Sequence, residues 1–261
     1  MNPASVRSLQ QINSLDQSTQ RQWYVRLIPE PLLDLLGLTQ EDLTTDRHIT
    51  FTTRPDKGYV KLQLHADPSD RDAAYTIELA DTPYGYTEAV FLSLLDPVAA
   101  RFDIDIDEQG RDTMLGTIGR NLKAEQQAMV SGLAPAQVRR GLRMAEPVFI
   151  KVDQFCAALG QEMWVGQAFA YHNAIIFERH GFGYLQGREL MEEIERGFQP
   201  GGPLYLALDG STPFRQSAQA GTAHGRSWAI HDGVLGADWG GVKLFRRIGE
   251  PQQVRTFTGP Y

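Results

Sequence analysis

The segment NAIIFERHGF, residues 173–182, decides how this chain is read. As a helix it gathers Ala174, Ile176 and Phe177 on an apolar side and ends in a charged tip of Glu178, Arg179 and His180. Gly181 then stops it, since glycine takes the left-handed conformation of a helix terminus without a Cβ clash. Phe182 opens an extended stretch, and the preceding MWVGQAFAY reads as a strand. Strand, short helix, glycine and aromatic strand in that order set a helix N-terminus and a chain reversal beside a sheet. Such a corner can wall a ligand site.

Upstream, HITFTTRP (48–55), YVKLQLHAD (59–67) and AYTIELAD (74–81) alternate apolar and polar residues between turns rich in Asp, Gly, Pro and Ser. EAVFLSLLDP (88–97) is more continuously apolar and reads as a central strand covered on both faces. RFDIDID (101–107) alternates again and reads as a fifth strand. Sequential strands with short connections make a largely antiparallel sheet. Residues 110–120 form a glycine-dotted loop, 121–131 a helix, and 135–159 a longer helix that Pro147 should kink. RELMEEIERGF (188–198) is a charged amphipathic helix, whereas PLYLALDG (203–210), VKLFRRIG (242–249) and SWAIHDG (227–233) read as strands.

At the other end, residues 1–20 are a polar arm or surface helix, and 23–38 join a short apolar strand to a Pro-started helix ending at Gly37. The expected fold class is α+β, a mixed, mostly antiparallel sheet flanked by helices. Its divisions are an N-terminal arm with helices (1–46), an αβ core (47–196) and a glycine-rich C-terminal extension (197–261) packed on the core.

A formal net charge of -7 argues against nucleic acid or an anionic membrane as partner, although Arg139, Arg140 and Arg143 form a local basic patch able to hold a small anion. Cys156 is the only cysteine, so no intrachain disulfide can form; it reads as a buried thiol in an apolar helix. The N-terminus lacks a signal-type apolar core, and no run approaches the ~18 apolar residues of a membrane span. These features lead us to expect a cytoplasmic protein with a small-molecule substrate, a homodimer being allowed.

The 173–182 segment and its flanks resemble the end of the GNAT N-acetyltransferase fold. Members of that superfamily carry a pattern of the form N-x-x-A-x-x-x-Y-E-K-x-G-F there. Glu178, Arg179, Gly181 and Phe182 match it, and Ala174 falls near the family's small residue. The resemblance spans residues 50–186. It implies an acyl-CoA (acetyl-CoA) co-substrate and transfer of the acyl group to an amine. The family's pyrophosphate loop, of the form Q/R-x-x-G-x-G/A, follows the fourth strand and opens the long helix. The resemblance places it here at Arg111, Gly116, Gly119 and Arg120, with Asn173 lining the pantetheine end. Two departures stand out: the glycine spacing is off-pattern, and Phe177 replaces the tyrosine that serves as general acid. Tyr171, His172 or Tyr184 would have to supply that proton, or solvent would. Glu88, with Asp103 and Asp105 as alternatives, is the candidate general base.

Other constellations read more plainly. Asp103, Asp105 and Asp107 would recur about 7 Å apart along one strand face, too far for one ion. No metal-ligand spacing appears among the histidines, and no metal is expected. Ser211 with His231 and Asp209 or Asp232 lacks the G-x-S-x-G elbow of a hydrolase. Two alternatives remain open: a non-catalytic GNAT-like protein that binds a ligand or partner, and a hydrolase or metal enzyme using the C-terminal His, Asp and Ser loops.

Overall fold

Side-chain caps organise the polar N-terminal region. Ser8 and Asp16 each accept a hydrogen bond from the first turn that follows, starting α1 (Leu9–Asn13) and α2 (Gln17–Tyr24). The computed structural model describes residues 6–116 and 118–261; residues 1–5 of the expected arm and Thr117 of the expected loop lie outside the described residues. The apolar segment after Trp23 is a 3₁₀ turn (Val25–Leu27) and not a strand, because it runs directly from α2 toward Pro29, the N-cap of α3 (Glu30–Leu36). Gly37 ends α3 as expected.

Three alternating segments and the more continuously apolar one after them become β1 (Ile49–Thr53), β2 (Tyr59–Leu64), β3 (Tyr75–Asp81) and β4 (Thr87–Leu94), each antiparallel to the next. β5 (Met163–Gln167) runs parallel to β4. With β6 (Gly183–Gln186) and β7 (Lys243–Arg247) they make a seven-stranded mixed sheet of order β1-β2-β3-β4-β5-β7-β6. The remaining helices are α4 (Leu122–Val130), α5 (Ala145–Ala158), α6 (Tyr171–Arg179), α7 (Arg188–Gly197), α8 (Pro203–Leu206) and α9 (Ala223–His231). The protein is therefore an α+β fold with a mostly antiparallel sheet flanked by helices.

Several expectations are corrected. RFDIDID is not a strand. Arg101 gathers the carboxylates of Asp103 and Asp105, the latter at 2.7 Å, and the Ile104 N–H donates to the Phe102 carbonyl, a contraction that extended backbone forbids. The long helix begins at Ala145 and not at Pro135, since Ala136 (φ 66°) and Arg143 (φ 56°) adopt left-handed backbone between them. Pro147 then falls in the first turn of α5, where its missing N–H has no helical partner, so the expected kink has no cause. PLYLALDG opens as α8, with Pro203 setting helical φ at its first position. The SWAIH part of SWAIHDG is the end of α9, with Asp232 as its C-cap, because Thr222 upstream caps that helix through a bond from the Gly225 N–H (2.9 Å).

By compactness the chain divides into two interleaved units. One comprises residues 1–98, 141–167 and 245–251; the other comprises 99–140, 168–244 and 252–261. Strand register builds the core of the first. Val60 opposite Leu79, Leu62 opposite Ile77 and Leu64 opposite Tyr75 stack buried side chains on one face of the sheet. Phe155 of α5 packs at 6.1 Å against Trp23 and at 6.3 Å against Tyr24, whose ring meets Phe51 of β1 at 5.9 Å. The second unit packs around Trp228, stacked at 5.2 Å on Phe214, and around Tyr171, Phe182 and Phe198.

Candidate functional site

In the first unit, β4 leaves β5 early. Their parallel pairing covers only Thr87↔Trp164, Glu88↔Val165 and Ala89↔Gly166, while β4 continues to Leu94. The break coincides with a bulge: Glu78 pairs with Phe91 and Leu79 with Ala89, which leaves Val90 without a counterpart on β3. A bulge bends and over-twists its strand, so β4 turns away where pairing ends. Only Thr87 in this strand is buried, and Glu88 to Leu94 are all half-buried. The expectation of a strand sealed on both faces is thus corrected: Glu88 and Ala89 are half-buried even where β5 pairs beside them, so edge pairing does not seal the faces.

The chain next returns to β4 through Gly141, which bridges Leu95. A Cβ at Gly141 would stand 3.4 Å from the Leu94 carbonyl oxygen, so glycine suits this close approach. Leu142, Arg143 and Met144 follow and open α5, which has no side-chain cap on its N-terminal N–H groups. Arg143 is exposed and forms none of the ion pairs found among the described residues. The first unit therefore combines an open strand edge, a half-buried carboxylate at Glu88 and an uncapped helix N-terminus beside a cation. Such N-termini favour anions.

The second unit holds most of the other expected site residues, and there they serve internal bonds. Arg111, with 75% of its side chain exposed, is held at 2.7 Å by Asp107 of its own turn. Gly116 closes a turn on the Thr113 carbonyl, and Gly119 is exposed beside Arg120. Arg120 donates to Glu125 and to Asp232, the latter at 2.8 Å. Asp232 also accepts from Thr212 (2.8 Å) and Arg215 (2.9 Å), and His231 lies 3.3 Å from Glu125. Burial raises the pKa of both carboxylates, yet the bonds to them outweigh it, and the net direction for each is downward. α4, the helix after this loop, is capped by Asn121, whose side chain accepts from the Ala124 N–H. Arg120 is thus spent on two carboxylates, and the loop does not open the long helix.

Tyr171 and His172 begin α6 in the packed interior, 1% and 2% exposed. Burial pushes the Tyr171 hydroxyl up to about 12, against the neighbouring Arg226. Burial, aided by His224 and His231, brings His172 down to about 3, so it is neutral at ordinary pH. Its Nδ1 meets Ser227 Oγ at 2.8 Å, and Asn173 Nδ2 lies 3.1 Å from its Nε2. Glu178 is also buried rather than part of a charged tip, accepting from Tyr184 (2.6 Å) and from the Thr256 N–H (3.0 Å).

Phe177 has a structural occupation. The Phe182 N–H donates to the Phe177 carbonyl and the Gly181 N–H to that of Glu178, a Schellman closure with Gly181 at φ 79°. The rings of Phe177 and Phe182 touch at 4.7 Å, the apolar contact that accompanies this motif. Ser211 and Asp209 bond each other within one turn, away from any arrangement of nucleophile and base. Among the described residues, no group of three or more His, Cys, Asp or Glu side chains could hold a metal ion, and no helix is long and apolar enough to cross a membrane.

No family model, curated protein or solved structure matches the chain.

Of the expected residues, Glu88 lies just before the point where β4 and β5 part, and Arg143 of the expected basic patch lies in the turn that opens α5. The loop expected at 110–120 leads into α4, whereas residues 141–144, within the helix expected over 135–159, form the turn that opens α5. The signal available was the run RRGLRM, with its glycine and three arginines ahead of the apolar periodicity.

Proposed function

We propose that this chain binds an acyl-CoA in its first unit and transfers the acyl group to an amine, as a GNAT-like N-acyltransferase. The observation that carries the reading is the parting of β4 from β5 after Ala89, at the Val90 bulge. An edge released from pairing presents backbone N–H and C=O groups that an amide-bearing chain such as pantetheine can take up as an added strand. The 141–144 turn and the uncapped start of α5 suit the phosphates. Glu88 accepts the proton of the attacking amine. The amine nitrogen bonds to the thioester carbonyl carbon, the C–S bond breaks, and the leaving thiolate takes its proton from solvent, because Phe177 has none to give.

Titration calorimetry and thermal shift with acetyl-CoA and longer acyl-CoAs test this directly. Heat on binding and a raised melting temperature are expected. No heat at millimolar ligand with an unchanged melting temperature would sink the claim. A second reading, a ligand-binding module without turnover, is favoured by the burial of Tyr171 and His172. It predicts acyl-CoA binding without thiol release over a broad amine panel.

A further inference from the structure

Helical spacing puts Lys151, Gln154, Phe155 and Ala158 on one face of α5, at positions i, i+3, i+4 and i+7. Against that face, the 3₁₀ turn Val25–Leu27 and the residues after it supply Arg26, Ile28 and Glu30. Together they line a cavity of about 270 Å³, all of it within the first unit. Small-molecule sites start at ~300 Å³, so the space suits a small ligand. Ile28 and Phe155 form an apolar floor, 2% and 1% exposed, while Arg26, Gln40 and Gln154 stand exposed around the rim.

The rim carries donors that the fold leaves unused. The Arg26 guanidinium lies over the Trp23 ring, 4.6 Å from its centroid, and Trp23 packs edge-on against Phe155 of the floor at 6.1 Å. This cation–π contact anchors the group but satisfies none of its N–H donors. Among the described residues Arg26 has no hydrogen bond and no ion pair, and the side chains of Gln40 and Gln154 have no hydrogen bond either. Lys151 Nζ meets Glu30 Oε1 at 2.9 Å, which shows that this wall accepts a carboxylate. The charged lining is Arg26 and Lys151 against Glu30, one positive charge in excess on a chain of net charge -7. An anchored cation over an apolar floor, with no carboxylate of its own, is open to one from a ligand.

We propose that this cavity binds a small organic monocarboxylate. The carboxylate accepts from the Arg26 fork at the rim, whose planar N–H groups match it in pairs, and Lys151 and the glutamine amides add donors. The apolar body lies on Ile28 and Phe155. A single positive charge in excess favours one negative charge over a phosphate dianion, and the floor favours a chain of methylenes over a bare ion. None of these residues enters the acyl-CoA reading of β4 and the 141–144 turn, so this site stands or falls independently of it.

Titration calorimetry on the full chain compares hexanoate with acetate, which keeps the charge without the chain, and with 1-hexanol, which keeps the chain without the charge. Inorganic phosphate is the third comparison. Hexanoate should bind at least about tenfold more tightly than each, as a charge-assisted contact over an apolar floor implies. Arg26→Gln should cut hexanoate affinity at least about tenfold, toward that of 1-hexanol. Glu30→Gln, which removes the carboxylate already on Lys151, should strengthen it. Ala158→Leu, which fills the cavity from α5, should weaken it. Arg255→Gln, at an exposed arginine of the other unit, should leave it unchanged. Circular dichroism checks that each variant folds, and all four positions are exposed. No heat with hexanoate at millimolar concentration, acetate or 1-hexanol binding equally well, or phosphate binding more tightly would overturn the proposal. Equal losses in Arg26→Gln and Arg255→Gln, or an unchanged affinity in Ala158→Leu, would overturn it too. Hexanoate binding in a protein that ignores acetyl-CoA would keep this site and dismiss the acyl-transfer reading.

Discussion

The two units both pair charge internally, but the expected site residues fall differently in them. In the second, Arg120, Arg215, Glu125 and Asp232 satisfy one another inside the packing, and His172 is kept neutral by burial. In the first, Arg246 pairs with Asp153, Glu88 is half-buried on β4 just before β5 parts from it, and Arg143 is exposed at the turn before α5. Buried charges that complete each other's bonds specify a structure, and breaking one pair is costly. An exposed charge such as Arg143 adds less to stability and stays available to a ligand. This contrast teaches that a rich cluster of Arg, His, Asp and Glu is not in itself a site. What matters is whether its bonds are already made.

The contrast breaks most visibly at Asp232. Removing a carboxylate that serves two arginines and Thr212 leaves two half-buried guanidinium groups short of a partner, so Asp232→Ala should lower stability by about 3 kcal/mol in denaturant unfolding. A loss under 1 kcal/mol would mean the network is ornamental and the units do not differ as described.

The pH dependence comes next in size. Folding lowers the pKa of His172 from 6.5 to about 3, so between those values the unfolded chain binds a proton that the folded one refuses. The stability contributed by this group is therefore present above pH 6.5 and is lost as pH falls toward about 3, at a slope of up to about 1.4 kcal/mol per unit. Glu125 and Asp232, lowered when folded, act in the same direction once pH falls below the ordinary carboxylate range. Unfolding curves from pH 7 to 4 should show the decline, and His172→Asn should flatten its upper part. An unchanged slope in that variant would take His172 out of the account.

Glu88→Gln sharpens the other side of the comparison. It should leave melting nearly unchanged and slow acyl-CoA-dependent thiol release by about 100-fold, the usual contribution of a positioned base. A fall in melting temperature matching that of a buried pair would make Glu88 structural. The smallest effect is expected at Arg143, whose left-handed backbone is strained for any residue but glycine. Arg143→Gly should hold or raise stability by up to about 1 kcal/mol and weaken acetyl-CoA binding about tenfold. Calorimetry with unchanged affinity would remove this residue from the anion site.

The strands from Ile49 to Asp81 were legible because period-two alternation survives wherever one face is buried, and β4 was legible as a short continuous apolar run. RFDIDID shows the same alternation and is no strand, since Arg101 folds its aspartates back. Nothing local to the segment announces that. The stop at Gly181 was equally legible, whereas the job of Phe177 was not, because its partner Phe182 is met only once the helix has closed. Helix boundaries failed at 135–144 for a related reason: apolar residues recur at helical spacing, but Ala136 and Arg143 take left-handed backbone that their side chains do not demand.

What the sequence determined by itself was therefore the periodic part: four antiparallel strands, a glycine-stopped helix with an aromatic strand after it, and one α+β class. These follow from local rules that act within a turn or a strand. The tertiary structure alone decided which charges are consumed and which remain open. Arg120 meets Asp232 from 112 positions away in the chain, and the β4 edge opens only because β5 departs after Gly166. Burial and pairing depend on what arrives from far away in the chain, and no local pattern encodes that.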